Sequence, residues 1–119
     1  MSSPYVKAKA FLEGRGYLVG KTEHWNAFAH IRQDLYGCID CLCLRAGSPL
    51  LAVQVTDMTS VSKRMKKAQT IAQQWVSTGA RFQVIGYTPK SKTPPRIMEM
   101  QPDGSWADQS AGSRTQATV

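Results

Sequence analysis

Apolar residues recur along this chain with two different periods, and the changes between them predict the order of helices and strands. In the first segment they return at near-helical spacing behind Pro4, which suits the first helical position, and this predicts a helix over Pro4–Glu13. Gly14 and Gly16 can end this helix. The β-forming residues that follow predict a first strand over 17–23.

Two strand patterns joined by a turn follow in the middle of the chain. A mostly apolar run predicts a second strand over 34–44, and another run, apolar on both faces as in a covered central strand, predicts a third over 50–56. The Gly-Ser-Pro sequence at 47–49 is a turn signal, so we expect a hairpin there. Residues 25–32 have no clear period and are predicted to be a connection.

A longer period returns after the third strand. Over 59–78 the apolar residues share one stripe and the basic residues lie mostly outside it, which predicts an amphipathic helix that ends at Gly79. The runs Arg81–Tyr87 and Arg96–Met100 predict a fourth strand and a short edge strand. Residues 107–119 are small and polar without a period, which predicts a disordered tail.

These elements follow each other in the order αβββαβ within a predicted single domain over 1–106. A chain of 119 residues that is 42% hydrophobic and 19% charged has the size and composition of one hydrophobic core. We therefore predict an α/β domain in which a mixed central sheet is flanked by two helices.

The chain carries a strong excess of positive charge. Fifteen Lys and Arg residues face eight Asp and Glu, a formal net charge of +7, which favours a polyanionic partner and above all nucleic acid. No apolar run approaches the ~18 residues that a membrane helix needs, and the first residues lack the regions of a signal peptide, so we expect a cytoplasmic protein. Because there is no Gly-rich phosphate loop, Walker sequence or dinucleotide fingerprint, kinase, NTPase and dehydrogenase functions are excluded.

Three cysteines, Cys38, Cys41 and Cys43, lie close together in the predicted second strand. An odd number with this spacing does not make a secreted disulfide framework, so we interpret them as reduced thiols. The spacing also suggests a zinc site completed by His24 or His30. Because side chains alternate along a strand, however, Cys38 should face away from the other two cysteines, which favours buried core thiols over zinc.

Polar residues interrupt the two predicted apolar strands. Asp40 lies in the second strand, and Gln54 and Thr56, two positions apart and so on one face, lie in the third. Burying such groups without partners costs roughly 2–7 kcal/mol, and more for a carboxylate. If the hairpin sets Asp40 beside them, together with a backbone carbonyl such as that of Val55, the strands form an oxygen-rich site of the kind that Mg²⁺ prefers.

With this element order and these residues, the chain resembles the PD-(D/E)XK nuclease superfamily, particularly its Holliday-junction-resolvase-like members, over about residues 4–87. The family pattern Gly-x-x-Asp on the second core strand is matched by Gly37-Cys38-Ile39-Asp40, which implies that Asp40 is the principal metal ligand. The resemblance also implies a restriction-endonuclease-like core, DNA as the substrate and Mg²⁺ or Mn²⁺ as the cofactor.

The third strand departs from the family's acid-x-lysine pattern, because Gln54 and Thr56 occupy the two polar positions. Glutamine stands at the acid position in some relatives, where its amide oxygen can approach the metal. The resemblance implies that Lys63, Arg64 or Lys66 of the following helix replaces the missing lysine, which is thought to activate the attacking water. An amide in place of a carboxylate removes roughly 8 kcal/mol of Coulomb attraction to a dication at ~4 Å and an effective dielectric of ~20, before desolvation, so we expect weak metal binding.

Two further acids are candidates for completing the metal site. The family often carries an acid early in its first helix, where this chain has Tyr5. Glu23, at the end of the first predicted strand, and Asp34, six positions before Asp40 and on its face if the strand is regular, are the available replacements. We slightly favour Glu23, and for either residue an ordinary surface carboxylate is as good an interpretation as a metal ligand.

Each candidate also has an ordinary structural interpretation. Asp40 could cap a turn or pair with Arg32, and Gln54 and Thr56 could bond to each other or to the backbone. The two histidines have neither a paired nucleophile nor a regular ligand spacing, so a solvated or stacking role suits them better than catalysis.

A set of basic residues forms a candidate DNA-binding surface, with a solvated helix face as the competing interpretation. Its members are Arg32, Lys63, Arg64, Lys66, Lys67, Lys90 and Lys92. Six phosphate contacts would give a log–log salt slope of about −5. Because the chain has no recognition-helix or zinc-finger pattern, we expect recognition of the backbone or of shape.

Three hypotheses of different classes follow. The first is a Mg²⁺- or Mn²⁺-dependent DNA endonuclease, resolvase-like and homodimeric by resemblance, because one small domain presents one cut per site. The alternative is a DNA-binding protein that keeps the nuclease scaffold without catalysis, which Gln54 and Thr56 favour. A protein-interaction adaptor on this fold explains the charge least well.

Overall fold

The computed structural model describes residues 4–22, 24–88 and 94–110, and within them the chain forms two α-helices, one 3-10 turn and eight strands. The helices are α1 (Pro4–Glu13) and α2 (Val61–Ser77), and the 3-10 turn is Met58–Ser60. The strands are β1 (Leu18–Lys21), β2 (His24–Asn26), β3 (Ile31–Gln33), β4 (Cys41–Leu44), β5 (Leu51–Asp57), β6 (Arg81–Tyr87), β7 (Arg96–Met100) and β8 (Trp106–Asp108).

Six of the strands form one mixed sheet in the order β1-β4-β5-β6-β7-β8. Strands β5 and β6 are parallel, and every other neighbouring pair in this sheet is antiparallel. Helix α2 is the crossover that joins the two parallel strands, as a parallel connection requires. The predicted α/β fold, a mixed sheet flanked by two helices, is confirmed.

The central strand β5 separates two hydrophobic cores. Its residues Leu51 and Val53 pack with Ala8 and Leu12 of α1 on one face of the sheet. On the other face, Ala52 packs with residues of α2 and with Phe82 and Val84 of β6. Burial on both faces explains why this strand is apolar at successive positions rather than at alternate ones.

The three cysteines are free and buried. Cys41 and Cys43 belong to the core under α1, and Cys38 belongs to the core under α2, so the prediction that Cys38 faces away from the other two is confirmed. Burial raises the pKa of the Cys38 thiol to about 11, which keeps it protonated at neutral pH. Among the residues that the structure describes, no group of three or more His, Cys, Asp and Glu residues is arranged to hold a metal ion.

The predicted second strand over 34–44 is wrong in its first half. Strand β4 begins only at Cys41, because the preceding residues form a tight turn closed by a bridge between Leu35 and Ile39. Tyr36 and Gly37 both adopt positive φ angles, 55° and 73°, which reverse the chain. After this turn the chain rejoins the sheet, and Asp40 is the residue directly before β4.

Two further elements differ from the sequence-based expectation. Residues 25–32, predicted to be a connection, contribute to the antiparallel hairpin of β2 and β3, which forms a separate two-stranded sheet. Strand β8 pairs with β7, so Ala107 and Asp108 extend the sheet past the predicted start of the tail. Residues 111–119 lie outside the described residues. Neither described helix is long and apolar enough to cross a membrane.

The start of α2 is held against β6 by a close approach at Gly86. A Cβ atom at this position would collide with the Val61 side chain and would lie 3.2 Å from the carbonyl oxygen of Asp57 and 3.3 Å from Cα of Met58. Two of these neighbours are backbone atoms, so a side chain at residue 86 would push α2 away from the sheet.

We predict that Gly86→Ala lowers the free energy of unfolding by about 1–3 kcal/mol, because the added methyl group overpacks this junction. Urea unfolding followed by tryptophan fluorescence measures the change. Gly20→Ala is the control, since a Cβ at residue 20 would meet only the Leu42 carbonyl at 3.7 Å. Equal stabilities of the two variants would show that α2 does not depend on this approach.

Candidate functional site

An open pocket of about 640 Å³ lies where β4 leaves β5. Its walls come from the start of α1, the end of β1, the segment before β4, the second half of β5 and the first turn of α2. The lining residues are Pro4, Tyr5, Val6, Lys21, Asp34, Asp40, Gln54, Val55, Thr56, Asp57 and Arg64.

Asp40 is fixed between β1 and β5 by its backbone. Its N–H donates to the carbonyl of Val53 and its carbonyl accepts from the N–H of Thr22, both at 2.9 Å. The paired part of β4 and β5 ends next to it, at Cys41 and Val53, so the N–H of Val55 has no strand partner on that side. Oδ2 of Asp40 accepts this N–H at 2.7 Å. The carboxylate is therefore held at the pocket wall by β5 itself.

Gln54 lies in the centre of the sheet and is only 1% exposed. It pairs with Val84 of β6, and its side chain alternates with those of Val53 and Val55, which face α1. Its amide oxygen Oε1 is buried and accepts no hydrogen bond. Bonding to Thr56 or to the backbone, the ordinary interpretation of this residue, does not satisfy that oxygen.

Three buried side-chain atoms in the described part of the chain lack a hydrogen-bond partner, and all three belong to residues that line this pocket. They are Oδ1 of Asp34, Oε1 of Gln54 and Nε of Arg64. Leaving a buried polar group unsatisfied costs about 1–3 kcal/mol, and a native structure holds few such groups. Their concentration in one pocket indicates that a ligand, an ion or water completes their bonding.

The end of β5 adds two more polar groups to the pocket. Thr56 is buried on the same face of the strand as Gln54. Asp57 is the last residue of the strand, and its Oδ1 accepts a hydrogen bond from the Thr59 hydroxyl at 2.7 Å. Hydrogen bonds from Thr59 and then Ser60 lower the pKa of the Asp57 carboxyl, so it is ionised at neutral pH.

Two cationic side chains line the pocket, Lys21 from β1 and Arg64 from α2. The Lys21 ammonium lies 5.0 Å from the centroid of the Tyr5 ring, within the range of a cation–π contact. Burial raises the pKa of the Tyr5 phenol, and the Asp40 carboxylate is among the nearby groups that raise it further. Tyr5 therefore forms part of the pocket wall as an uncharged phenol.

The three residues proposed to replace the lysine of the family pattern differ in whether they line the pocket. Arg64 lines the pocket, whereas Lys63 and Lys66 lie on the exposed face of α2 together with Lys67 and are not among the lining residues. Asp34 also lines the pocket, together with Asp40, Gln54 and Thr56. The regular strand from which this position was predicted is interrupted by the turn over residues 35–39.

Some predicted site residues lie outside the described residues. Glu23, Lys90 and Lys92 are in this group, as is the side chain of Arg32. Their predicted roles as metal ligand and DNA contacts therefore stay predictions.

The donor atoms of the pocket fit a hard divalent cation. Asp34, Asp40 and Gln54 offer carboxylate and amide oxygens, which Mg²⁺ and Mn²⁺ prefer. Gln54 contributes a neutral amide to this set and not a carboxylate.

Lys21, Tyr5 and Asp57 are pocket residues that the sequence analysis did not assign to the site. Lys21 carried the clearest available signal, since it is a lysine at the end of a predicted strand that precedes the Asp40 strand. Lys21 is brought to the pocket by the strand register, which pairs it with Cys41, the neighbour of Asp40. Nothing in the local sequence shows this register.

Comparisons with known protein families, with curated proteins and with solved structures found no match to this chain.

We predict that Gln54→Glu tightens Mn²⁺ binding at least tenfold, because it restores a negative charge next to the cation. Isothermal titration calorimetry measures the dissociation constant. Gln74→Glu makes the same charge change on the exposed face of α2, away from the pocket, and should leave Mn²⁺ binding unchanged. Equal affinities of wild type and Gln54→Glu would show that residue 54 does not contact the metal.

Proposed function

We propose that the protein is a metal-dependent nuclease that hydrolyses phosphodiester bonds in DNA, and that the pocket around Asp40 is its active site. One observation carries this proposal: the three unsatisfied buried side-chain atoms of the described chain are two oxygens and one guanidinium nitrogen, and their residues surround the pocket that Asp40 lines. The oxygens suit a hard cation, and the guanidinium suits a phosphate.

Asp40, Gln54 and Asp34 would hold Mg²⁺ or Mn²⁺. The cation, when bound, would supply Lewis-acid activation of water and charge neutralisation at the scissile phosphate. Asp40 is the anchor of this set because the N–H of Val55 fixes its orientation. Asp57, which is ionised, lies at the same pocket and is an available hydrogen-bond acceptor for water.

Arg64 would bind the phosphate. Its guanidinium is planar and permanently charged, and its Nε is buried without a partner at the pocket wall. An N–H donor that already lacks a partner loses no hydrogen bond when a phosphate oxygen arrives. Binding at this atom therefore removes the free-energy cost of leaving the donor unsatisfied.

Lys21 would supply the positive charge that Thr56 does not carry. Its side chain enters the pocket from β1, the strand that neighbours β4, and lies over the Tyr5 ring. At this place an ammonium group can neutralise negative charge that develops on the phosphate during hydrolysis.

The order of the elements also supports this proposal. With the β2–β3 hairpin set aside, the elements α1, β1, β4, β5, α2 and β6 follow in the order expected for a PD-(D/E)XK core, and β7 and β8 extend the sheet. We propose this topology as the origin of the site. Because each copy of the chain carries one Asp40, cutting both strands of a duplex would use two copies.

The exposed lysines of α2 would contact DNA outside the pocket. Lys63, Lys66 and Lys67 lie on the same helix as Arg64 and are exposed, and the chain carries a net charge of +7. Such contacts add affinity without sequence preference and weaken as salt rises.

A DNA-binding protein without nuclease activity is the second candidate function. The observation that favours it is the composition of β5, where a neutral amide and a hydroxyl, Gln54 and Thr56, occupy the positions of the motif acid and lysine. In that case the pocket would bind a phosphate through Arg64 and Lys21 without cutting it.

We predict that the wild type cuts plasmid DNA with Mn²⁺ and that Asp40→Asn slows cutting at least 100-fold, because an amide cannot supply the ligand charge of the carboxylate. The asparagine oxygen can still accept the Val55 N–H, so the fold is preserved. Arg64→Ala should slow cutting at least tenfold, and Lys63→Ala should leave it near wild type. Gel electrophoresis of time courses measures the rates.

Asp103→Asn is the matched control, since Asp103 lies in the turn before β8 and does not line the pocket. Cutting that survives in Asp40→Asn would contradict the nuclease proposal. Salt-sensitive DNA binding by the wild type without cutting, in Mg²⁺ and in Mn²⁺, would select the second candidate.

We predict that replacing Lys63, Lys66 and Lys67 together by Gln reduces the magnitude of the log–log salt slope of DNA binding by about 2–3, because each lost phosphate contact contributes about 0.9. Fluorescence anisotropy at several salt concentrations measures the slope. Lys9→Gln on α1 is the control, since Lys9 pairs with Glu13. An unchanged slope in the triple variant would place the DNA elsewhere.

A further inference from the structure

The β2–β3 hairpin exposes large apolar and aromatic side chains beside the pocket. Phe28 in its turn is fully exposed, Trp25 on β2 is 59% exposed, and Tyr36 in the turn that follows β3 is 66% exposed. Ile31 on β3 is also about half exposed. An isolated exposed apolar residue is common on protein surfaces, but a group of them on the hairpin and the turn that follows it indicates a contact surface.

The turn that carries Phe28 is held in a defined conformation. Oδ1 of Asn26 accepts the N–H groups of Phe28 and Ala29, both at 3.0 Å, and its Nδ2 donates to Gln33 across the hairpin at 3.1 Å. The rings of Trp25 and His30 meet edge to face with centroids 6.4 Å apart. The backbone at Phe28 is thus ordered before binding, so that little backbone conformational entropy is lost when a partner covers the ring.

Both ends of the hairpin lead directly into the pocket. Lys21 lies three residues before β2, Asp34 directly follows β3, and both residues line the pocket. Phe28 is six residues from Asp34, so at ~3.3 Å per residue the turn reaches at most about 20 Å from the pocket wall. A nucleic-acid strand advances ~3.4 Å per nucleotide, so a base under Phe28 would lie within about six nucleotides of a phosphate in the pocket.

We propose that Phe28 stacks on an unpaired base of DNA whose backbone passes through the pocket, which makes the hairpin a DNA-contacting element that selects substrates with unpaired bases near the cut. This inference rests on the proposed function in taking DNA as the partner. The net charge of +7 favours a polyanionic partner, and Lys21 and Arg64 offer it two cationic groups at the pocket beside its three aspartates. An aromatic side chain beside such a site is the group that stacks on exposed bases, since every base has a π face. Paired bases in a continuous duplex do not offer that face.

The test compares two DNA molecules of identical sequence, one fully paired and one with a four-nucleotide single-stranded gap that contains 2-aminopurine. Binding is measured by anisotropy in EDTA, and stacking by the change in 2-aminopurine fluorescence. We expect Phe28→Ala to bind the gapped DNA about tenfold more weakly than wild type, to bind the paired DNA unchanged, and to lose the fluorescence change. Phe28→Trp, which keeps an aromatic face, should behave as wild type.

Leu44→Ala is the matched control. Leu44 is also exposed, but it lies at the opposite end of β4 from Asp40, paired with Leu18, and should affect neither DNA. Equal binding of gapped DNA by wild type and Phe28→Ala would overturn the inference, and so would an equal loss on both DNAs. A change from dimer to monomer in Phe28→Ala by light scattering, with the preference for gapped DNA intact, would assign the hairpin to self-association and overturn it too.

Cutting assays in Mn²⁺ separate this inference from the proposed function. If the wild type cuts paired DNA, Asp40→Asn does not, and Phe28→Ala shows no selective loss on gapped DNA, the nuclease proposal stands and the stacking role fails. If Phe28→Ala loses gapped DNA selectively while no variant cuts any DNA, the stacking role stands and hydrolysis fails.

Discussion

One hydrogen bond determines the shape of the candidate site: the N–H of Val55 donates to Oδ2 of Asp40 at the point where β4 leaves β5. In an antiparallel ladder a backbone carbonyl of the neighbouring strand would accept this N–H, but the ladder ends at Cys41 and Val53. Because the carboxylate takes the place of that carbonyl, β5 continues to Asp57 with this donor satisfied. The space that a continued β4 would fill becomes the pocket, and the residue that opens it is also its principal candidate ligand.

Polar side chains on the parallel strands β5 and β6 are hydrogen-bonded to each other in one place and lack partners in another. At the start of β6, Arg81 donates to both carboxylate oxygens of Glu99, and Gln83 donates to one of the same oxygens, so these groups satisfy one another. Where β5 lines the pocket, Oε1 of Gln54, Oδ1 of Asp34 and Nε of Arg64 have no hydrogen-bond partner. Unsatisfied groups that persist in a well-packed protein are typical of functional sites.

Elements with strong local signals were predicted closely. The boundaries of α1, β6 and β7 agree with the pattern of apolar residues, because a helical period with a glycine stop, or a short apolar run, is a property of the segment itself. The strand predicted over 34–44 failed because Tyr36, a residue that seldom adopts positive φ, forms a left-handed turn with Gly37. The β2–β3 hairpin was missed because its strands have three residues each, too few to show a period.

Local sequence patterns were enough to identify the residue types available for chemistry: an aspartate three positions after Gly37, a glutamine and a threonine two positions apart on a central strand, and a basic helix after them. These follow from alternation along one strand and periodicity along one helix. Which cations join them depends on packing between distant segments. Lys21 reaches the pocket through the pairing of β1 with β4, and Arg64 rather than Lys63 reaches it through the rotation of α2 against β6. Register and helix rotation are set by packing between segments distant in the chain, and no local pattern encodes them.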